Sequence, residues 1–132
     1  MIVIDSSALL AISFKEPEHQ TFEGIITGDK RCVMSAVNAH ETATVLRVRL
    51  GAASAERFWK FLTDVGIEMV PFDEAQVRAA AVAFNRYGKG IDPKARLNLA
   101  DCAAYALAKT MNAPLLFKGN DFSETDLQSC LG

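Results

Sequence analysis

The chain of 132 residues reads as an α/β fold, with helices packed on a central parallel sheet. Two observations predict it. The runs Ile2-Val3-Ile4 and Cys32-Val33-Met34 are short, apolar and rich in β-branched residues, with no polar alternation. Such runs suit strands buried on both faces, as parallel sheets require. Strand-like runs also alternate along the chain with segments of helical period, the order that βαβ crossovers produce. A third observation points to a site. Asp5 follows the first strand directly, and ligands in open α/β sheets bind outside the carboxyl ends of the strands.

Taken in order, Ile2 to Ile4 forms the first strand and Ser6 to Phe14 a short helix. Glu16-Pro17-Glu18 starts a second helix, with Phe22, Ile25 and Ile26 on one face and Gly28 at its end. Cys32 to Met34 is the second strand. Ser35 caps a long third helix that reaches Leu50, and Gly51 breaks it. Phe58, Phe61, Leu62 and Val65 mark the stripe of a fourth helix closed by Gly66. Ile67 to Val70 is the third strand, stopped by Pro71.

Asp73, with Gln76 three residues on, opens a fifth helix as a capping-box variant. Val77, Ala80, Ala81 and Phe84 form its expected stripe, and Gly88 follows it. Lys89 to Leu97 is an irregular basic connection. Asn98 then opens a sixth helix, whose run Leu99 to Met111 is small and apolar enough to be largely buried. Pro114 to Phe117 is the fourth strand, Gly119-Asn120-Asp121 a turn, and Leu127 to Leu131 a short fifth strand at most. The expected architecture is a single domain over residues 1–132, in three α/β/α layers around a parallel sheet of four to five strands.

Composition bounds the function. Half of the residues are apolar and 23% charged, as in ordinary globular proteins. No apolar run approaches the roughly 20 residues of a membrane span, and no basic lead precedes a long apolar stretch. Cys32, Cys102 and Cys130 have no metal-ligand spacing and read as reduced, mostly buried thiols. A cytoplasmic location without membrane contact is expected. The net charge of −2 argues against non-specific coating of nucleic acid. Setting aside Asp5, Glu41, Asp101 and Asp121 from the 16 acidic side chains turns the balance against the 14 basic ones slightly positive.

Those four acids matter because the architecture gathers them. Each helix of such a fold starts at the carboxyl edge of the sheet and runs back down. Asp5 and Asp121 therefore fall just past strands one and four, and Asp101 lies in the first turn of helix six at the same edge. Glu41 lies about a turn and a half into helix three, in line with Val37, Val45 and Val48; a carboxylate in an apolar stripe is costly to bury alone. Each has an ordinary role open to it: a helix cap for Asp5, a dipole partner for Asp101, a turn residue for Asp121, and reach to solvent for Glu41. Carboxylates converging on one pocket repel, so protons or cations must accompany them. Hard divalent ions, Mg²⁺ or Mn²⁺, suit oxygen ligands. His19 and His40 are the only imidazoles, too few for a zinc site or a histidine acid–base nuclease.

The stretches Ile4-Asp5-Ser6-Ser7-Ala8-Leu9, Ser35 to Leu46 around Glu41, Leu99 to Ala106 around Asp101, and Leu115 to Phe122 around Asp121 resemble the PIN-domain family. Within it they are most similar to the VapC-type toxins of bacterial toxin–antitoxin modules. The resemblance runs over essentially the whole chain and rests on the order and spacing of these stretches. It implies an endoribonuclease dependent on Mg²⁺ or Mn²⁺, in which water attacks an RNA phosphodiester. It places the family's acids on Asp5, Glu41, Asp101 and Asp121, with Ser7 as the small hydroxyl residue beside the metal. Asp126 is a second candidate for the fourth place. A cognate VapB-type antitoxin and a homodimer are also implied.

Two further groups of residues extend this reading. Lys89, Lys94 and Arg96 precede helix six and border the acids, where they could hold RNA phosphates; a solvated loop is the plainer alternative. Helices three and four, joined at Gly51, form an antiparallel hairpin on which Trp59, Leu46 and Leu50 lie off the main stripes. An exposed apolar strip there would receive an antitoxin, unless Trp59 fills the hairpin's own core. Two other functions remain open: a PIN-like interaction scaffold without turnover, and a phospho-receiver domain. A receiver needs an acceptor Asp after its third strand, where this chain has Val70-Pro71-Phe72.

Overall fold

The computed structural model describes residues 1–131. Four strands form one parallel sheet in the order β3-β2-β1-β4, comprising β1 (Ile2–Ile4), β2 (Cys32–Ser35), β3 (Glu68–Val70) and β4 (Leu115–Leu116). The helices are α1 (Ser6–Ser13), α2 (His19–Ile26), α3 (Ala36–Leu50), α4 (Ala52–Val65), α5 (Glu74–Tyr87) and α6 (Leu99–Met111). In register, Ile2 and Val3 face Cys32 and Val33 on one side, while Val3 and Ile4 face Leu115 and Leu116 on the other. The chain builds outward from β1 to β2 and β3, then returns to place β4 on the opposite flank of β1. The switch point therefore lies between β1 and β4, the place where open α/β sheets leave a crevice.

The sheet separates two apolar cores. Ile2, Ile4, Cys32, Met34 and Leu116 join Leu9, Phe22, Leu46 and Phe58 on the face covered by α1 to α4. Val3, Val33 and Leu115 point the other way, into a core with Tyr87, Leu97, Tyr105 and Leu107 from the α5–α6 side. Successive side chains of a strand alternate between faces, so the unbroken apolar runs fill both layers.

The fifth strand is a single bridge. Leu115 pairs with Ser129, through Leu115 N–H to Gln128 C=O at 3.0 Å and Cys130 N–H to Leu115 C=O at 3.1 Å. β3 is an edge strand, with Glu68 and Met69 exposed, which is why it carries a charge where the inner strands do not. Gly51 (φ 94°) and Gly66 (φ 77°) make the left-handed turns at the two ends of α4. Gly88 serves differently: its φ is ordinary, but an added Cβ would lie 2.5 Å from the Phe84 ring and carbonyl. No described helix is long and apolar enough to cross a membrane.

Two expected stripes are displaced. On α5 the buried positions are Ala80, Ala83 and Tyr87, while Val77 and Phe84 are exposed. That helix lies against the alanine-rich face of α6, and close approach selects small side chains over large ones. On α3 the buried side is Asn38, Ala39, Thr42, Ala43 and Leu46. Val48 is 79% exposed and Val37 and Val45 are only half-buried, so the line of valines around Glu41 borders the core and does not form it.

Candidate active site

The site assembles at the β1/β4 switch point. β1 ends at Ile4, and Asp5 turns the chain into α1 as its N-cap, with β-region backbone (φ −85°, ψ 155°). Its N–H donates to Leu116 C=O at 2.9 Å, which ties it to β4. The carboxylate is buried. One oxygen, Oδ2, accepts from both Ser7 N–H at 3.0 Å and Ser7 Oγ–H at 2.6 Å. Ser7 Oγ in turn accepts from Lys118 N–H at 2.9 Å, so a short chain of bonds joins the acid to the loop beyond β4. The Lys118 ammonium reaches back to Glu16 and, at 3.3 Å, to Glu18, clamping the α1–α2 connection to the same loop.

Asp101 occupies the third position of α6. A reciprocal capping box holds it: its N–H donates to Asn98 Oδ1 at 2.8 Å, and Asn98 N–H donates to its Oδ2 at 3.0 Å. The cap read from the sequence for Asp5 is therefore real, and Asp101, expected only as a dipole partner in the first turn, has a capping role too. It is also incomplete, because each bonded carboxylate uses Oδ2 for orientation and leaves Oδ1 outside those bonds. Caps of this kind fix direction.

The acids feel one another. Burial pushes the Asp5 carboxyl up to about 7, and the charges of Asp101 and Glu41 push the same way against the two Ser7 bonds. Burial likewise raises Asp101 to about 6, opposed by the Asn98 amide and reinforced by the charges of Asp121 and Glu41. Glu41 is half-buried in the second turn of α3, and Asp121 is exposed in the turn after β4. The structure thus brings Asp5, Glu41, Asp101 and Asp121 into one field of negative charge. A cation relieves such a field without protonating the acids.

The donor set suits such an ion only in an open mode of binding. Among the described residues, no three Asp, Glu, His or Cys side chains stand close enough to form a ready-made metal cage. Mg²⁺ rarely uses one: it keeps several waters and takes one or two carboxylates, with substrate phosphates completing the shell. Oriented carboxylates bearing a free oxygen, at a partly open edge, fit that mode of binding.

Asp126 is elsewhere and fully engaged. It accepts from Tyr105 Oη–H at 2.5 Å and from the Lys109 ammonium at 3.1 Å, with Arg86 at 3.8 Å. The Tyr105 hydroxyl beside it holds its carboxyl below the ordinary carboxylate range. It fastens the C-terminal segment to α6, and Asp121 is the acid that couples to Asp101.

Lys89, Lys94 and Arg96 are exposed on a connection more ordered than expected. Its ends are closed by Lys89 N–H to Leu97 C=O and Leu97 N–H to Tyr87 C=O, both 2.8 Å. Lys94 N–H donates to Asp92 Oδ1 at 2.8 Å, and Arg96 adopts a left-handed φ of 55°. Among the described residues none of the three basic groups forms an ion pair.

The hairpin residues correct the expectation made for them. Leu46 is 2% exposed and belongs to the core, because it lies on the side of α3 that faces the sheet. Leu50, 51% exposed, and Trp59, 39% exposed, remain at the surface. Trp59 does not fill the hairpin core; Phe58 does, with the two rings 5.2 Å apart. A groove of about 230 Å³ runs between α1 and the hairpin, lined by Leu9, Ile12, Leu46, Leu50, Phe58 and Phe61, among others. Trp59 lies outside that lining.

One residue beside the acids carries no distinctive mark in the sequence. Asn38, wholly buried on α3, donates through Nδ2 to Ser6 Oγ at 3.2 Å and to Ala100 C=O at 3.1 Å. Its Oδ1 has no partner among the described residues, a cost of about 1–3 kcal/mol. The only signal in the sequence is an amide three residues before Glu41, which is too common to single out.

Comparison with known proteins gives a consistent result. The PIN domain family matches residues 2–127. Ribonuclease VapC of Mycolicibacterium smegmatis is 41% identical over 126 residues, covering 96% of this chain and 97% of that protein. Ribonuclease VapC30 of Mycobacterium tuberculosis is 39% identical, covering 96% and 95%. In fold, the crystal structure of Mycobacterium tuberculosis VapC20, a sarcin–ricin loop cleaving toxin, superposes with a TM-score of 0.80 at 15% identity, covering 96% of each chain. VapBC2 from Rickettsia felis, solved bound to a DNA fragment from its promoter, gives 0.70 at 13% identity, covering 98% of this chain and 96% of that one.

Proposed function

This chain belongs to the PIN-domain family, and from that premise we propose that it is a VapC-type toxin, an endoribonuclease that hydrolyses RNA phosphodiester bonds with Mg²⁺ or Mn²⁺. The observation that carries the reading is that Asp5 and Asp101, each held through one oxygen, lie within charge range of one another and of Glu41 at the switch point. There burial first and neighbouring charge second raise the Asp5 carboxyl to about 7. Sites that shift carboxylates this far are candidates for chemistry. The interaction-only alternative leaves that convergence without a purpose.

In this mechanism Asp5 and Asp101 would hold the metal, with Glu41 and Asp121 completing the charge around it. When bound, the cation supplies the positive charge that favours ionised water and stabilises the developing charge on the phosphodiester. Ser7 and Asn98 aim the free oxygens of Asp5 and Asp101 by holding the other oxygen of each. Lys89, Lys94 and Arg96 bind phosphates to either side of the scissile bond and set the register of the strand. The test is cleavage of RNA by the purified chain. Activity with Mn²⁺ or Mg²⁺ that chelator removes and fresh metal restores is the expected result; cleavage indifferent to chelator would overturn the reading.

The partners follow from the same proposal. A VapB-type antitoxin would lay an apolar segment into the groove between α1 and the α3–α4 hairpin. This is supported by the groove's apolar lining and by fold neighbours solved as toxin–antitoxin complexes. A homodimer would bury the apolar side chains that α5 leaves exposed, Val77, Val82 and Phe84. Its mass in solution, measured by light scattering, tests that part.

A further inference from the structure

Asp5 caps α1, while Glu41 and Asp101 lie on α3 and α6, and among the described residues only one side chain bonds across all three of these helices. Asn38 lies one turn before Glu41 on α3. Its amide nitrogen donates to the hydroxyl of Ser6, the residue after Asp5, and to the carbonyl of Ala100, the residue before Asp101. Ser6 answers by donating from Oγ to Asn38 C=O at 3.2 Å. The amide cannot be turned round, because the Ala100 carbonyl can only be met by a donor. Oδ1 is thereby left buried, with no partner among the described residues.

A structural filler at this position would not need to be polar. Ala39 and Ala43 pack the same side of α3 with apolar groups, and a small apolar residue at 38 would remove the unsatisfied oxygen. What it would also remove is the tie between α1, α3 and α6. Buried polar groups retained with an atom unsatisfied call for an explanation, and here the bonded atoms supply it.

We propose that Asn38 is the positioning residue of the acidic site: its Nδ2, shared between Ser6 and Ala100, sets the distance of Glu41 from Asp5 and Asp101. The proposal rests on reading those acids as a metal site. Asn38 touches neither substrate nor metal, so its contribution is to hold the carboxylates at the spacing a cation accepts. Residues that orient ligands commonly change metal affinity by about ten- to a hundredfold when removed.

The experiment is calorimetric titration of the full chain with Mn²⁺ alone, beside thermal melts of the same preparations. Asn38→Ala should fold and bind Mn²⁺ about tenfold or more weakly, and Ser6→Ala should weaken it in the same direction. Thr42→Val is the control. It deletes another buried hydroxyl of α3, one that bonds only within the helix, to Asn38 C=O at 2.8 Å, and should lower stability without moving Mn²⁺ affinity. Wild-type affinity in folded Asn38→Ala overturns the proposal. Should that variant not fold, wild-type affinity in Ser6→Ala does so, and an equal loss in Thr42→Val does so as well. Asp101→Asn separates the two readings. If it weakens Mn²⁺ binding while Asn38→Ala does not, the positioning role alone fails. If the wild-type chain binds no Mn²⁺, the metal reading fails and this proposal with it.

Discussion

Ser7 stands between Asp5 and the far side of the switch point: its hydroxyl donates to Asp5 Oδ2 at 2.6 Å and accepts from Lys118 N–H at 2.9 Å. The first strand's acid is thus oriented by a residue that also senses where the loop carrying Asp121 begins. Ser7→Ala should leave the fold intact and reduce metal-dependent cleavage by about ten- to a hundredfold. Full activity at low Mn²⁺ concentration in that variant would remove Ser7 from the site.

The raised carboxyls predict how stability depends on pH when no metal is present. The folded Asp5 titrates near 7, and an unfolded Asp near 3.8, so between those values the folded chain holds more protons. Stability therefore falls as pH rises from about 4 to about 7, by on the order of a few kcal/mol. Asp101 adds in the same direction, less strongly because it is partly exposed. Metal-free protein should melt at a higher temperature at pH 5 than at pH 8. Asp5→Asn should flatten that slope, and Mn²⁺ should raise the melting temperature at pH 8. An unchanged slope in Asp5→Asn would show that the buried carboxyl is not the titrating group.

These relationships were unevenly legible in the sequence. The caps at Asp5, Ser35, Asp73 and Asn98, and the turns at Gly51 and Gly66, were readable because their physics is local: an orphan helix N–H or a left-handed turn needs a particular residue at a particular place. The gathering of the acids was readable because a parallel sheet puts every strand's carboxyl end on one edge. The faces of α3 and α5 were not. α3 is wedged against α1, α4 and α6, so its buried side carries Asn38, Ala39 and Thr42, while Val37 and Val45 stay at the border and Val48 looks outward. Hydrophobic periodicity has no means of registering a helix packed through small and polar side chains. Asn38 and the engagement of Asp126 by Tyr105 and Lys109 needed the tertiary structure outright.

The basic connection makes an electrostatic prediction. Replacing Lys89, Lys94 and Arg96 with Ala should weaken RNA binding and flatten its dependence on salt, since each phosphate contact releases counterions. Titrations at several salt concentrations read this directly. A salt slope equal to that of the unaltered chain would leave the loop without a role in holding substrate.

Partner binding should depend on the groove more than on the tryptophan beside it. Leu50 lines the groove and Trp59 does not, so Leu50→Glu should weaken antitoxin binding by about 2 kcal/mol or more, and Trp59→Ala by less. Cleavage of RNA should be unaffected by either. If Trp59→Ala proves the more damaging, the antitoxin crosses the outer face of α4 and not the groove.

If the converging carboxylates are a metal-dependent catalytic site, Asp5 is indispensable to it. RNA cleavage and Mn²⁺ binding by Asp5→Asn, measured on the same folded preparation, decide this. Asp5→Asn should keep its fold, bind Mn²⁺ more weakly and cleave RNA about a hundredfold or more slowly, with Glu41→Gln and Asp101→Asn behaving alike and Asp121→Asn affected less. Normal metal-dependent cleavage by folded Asp5→Asn would contradict it.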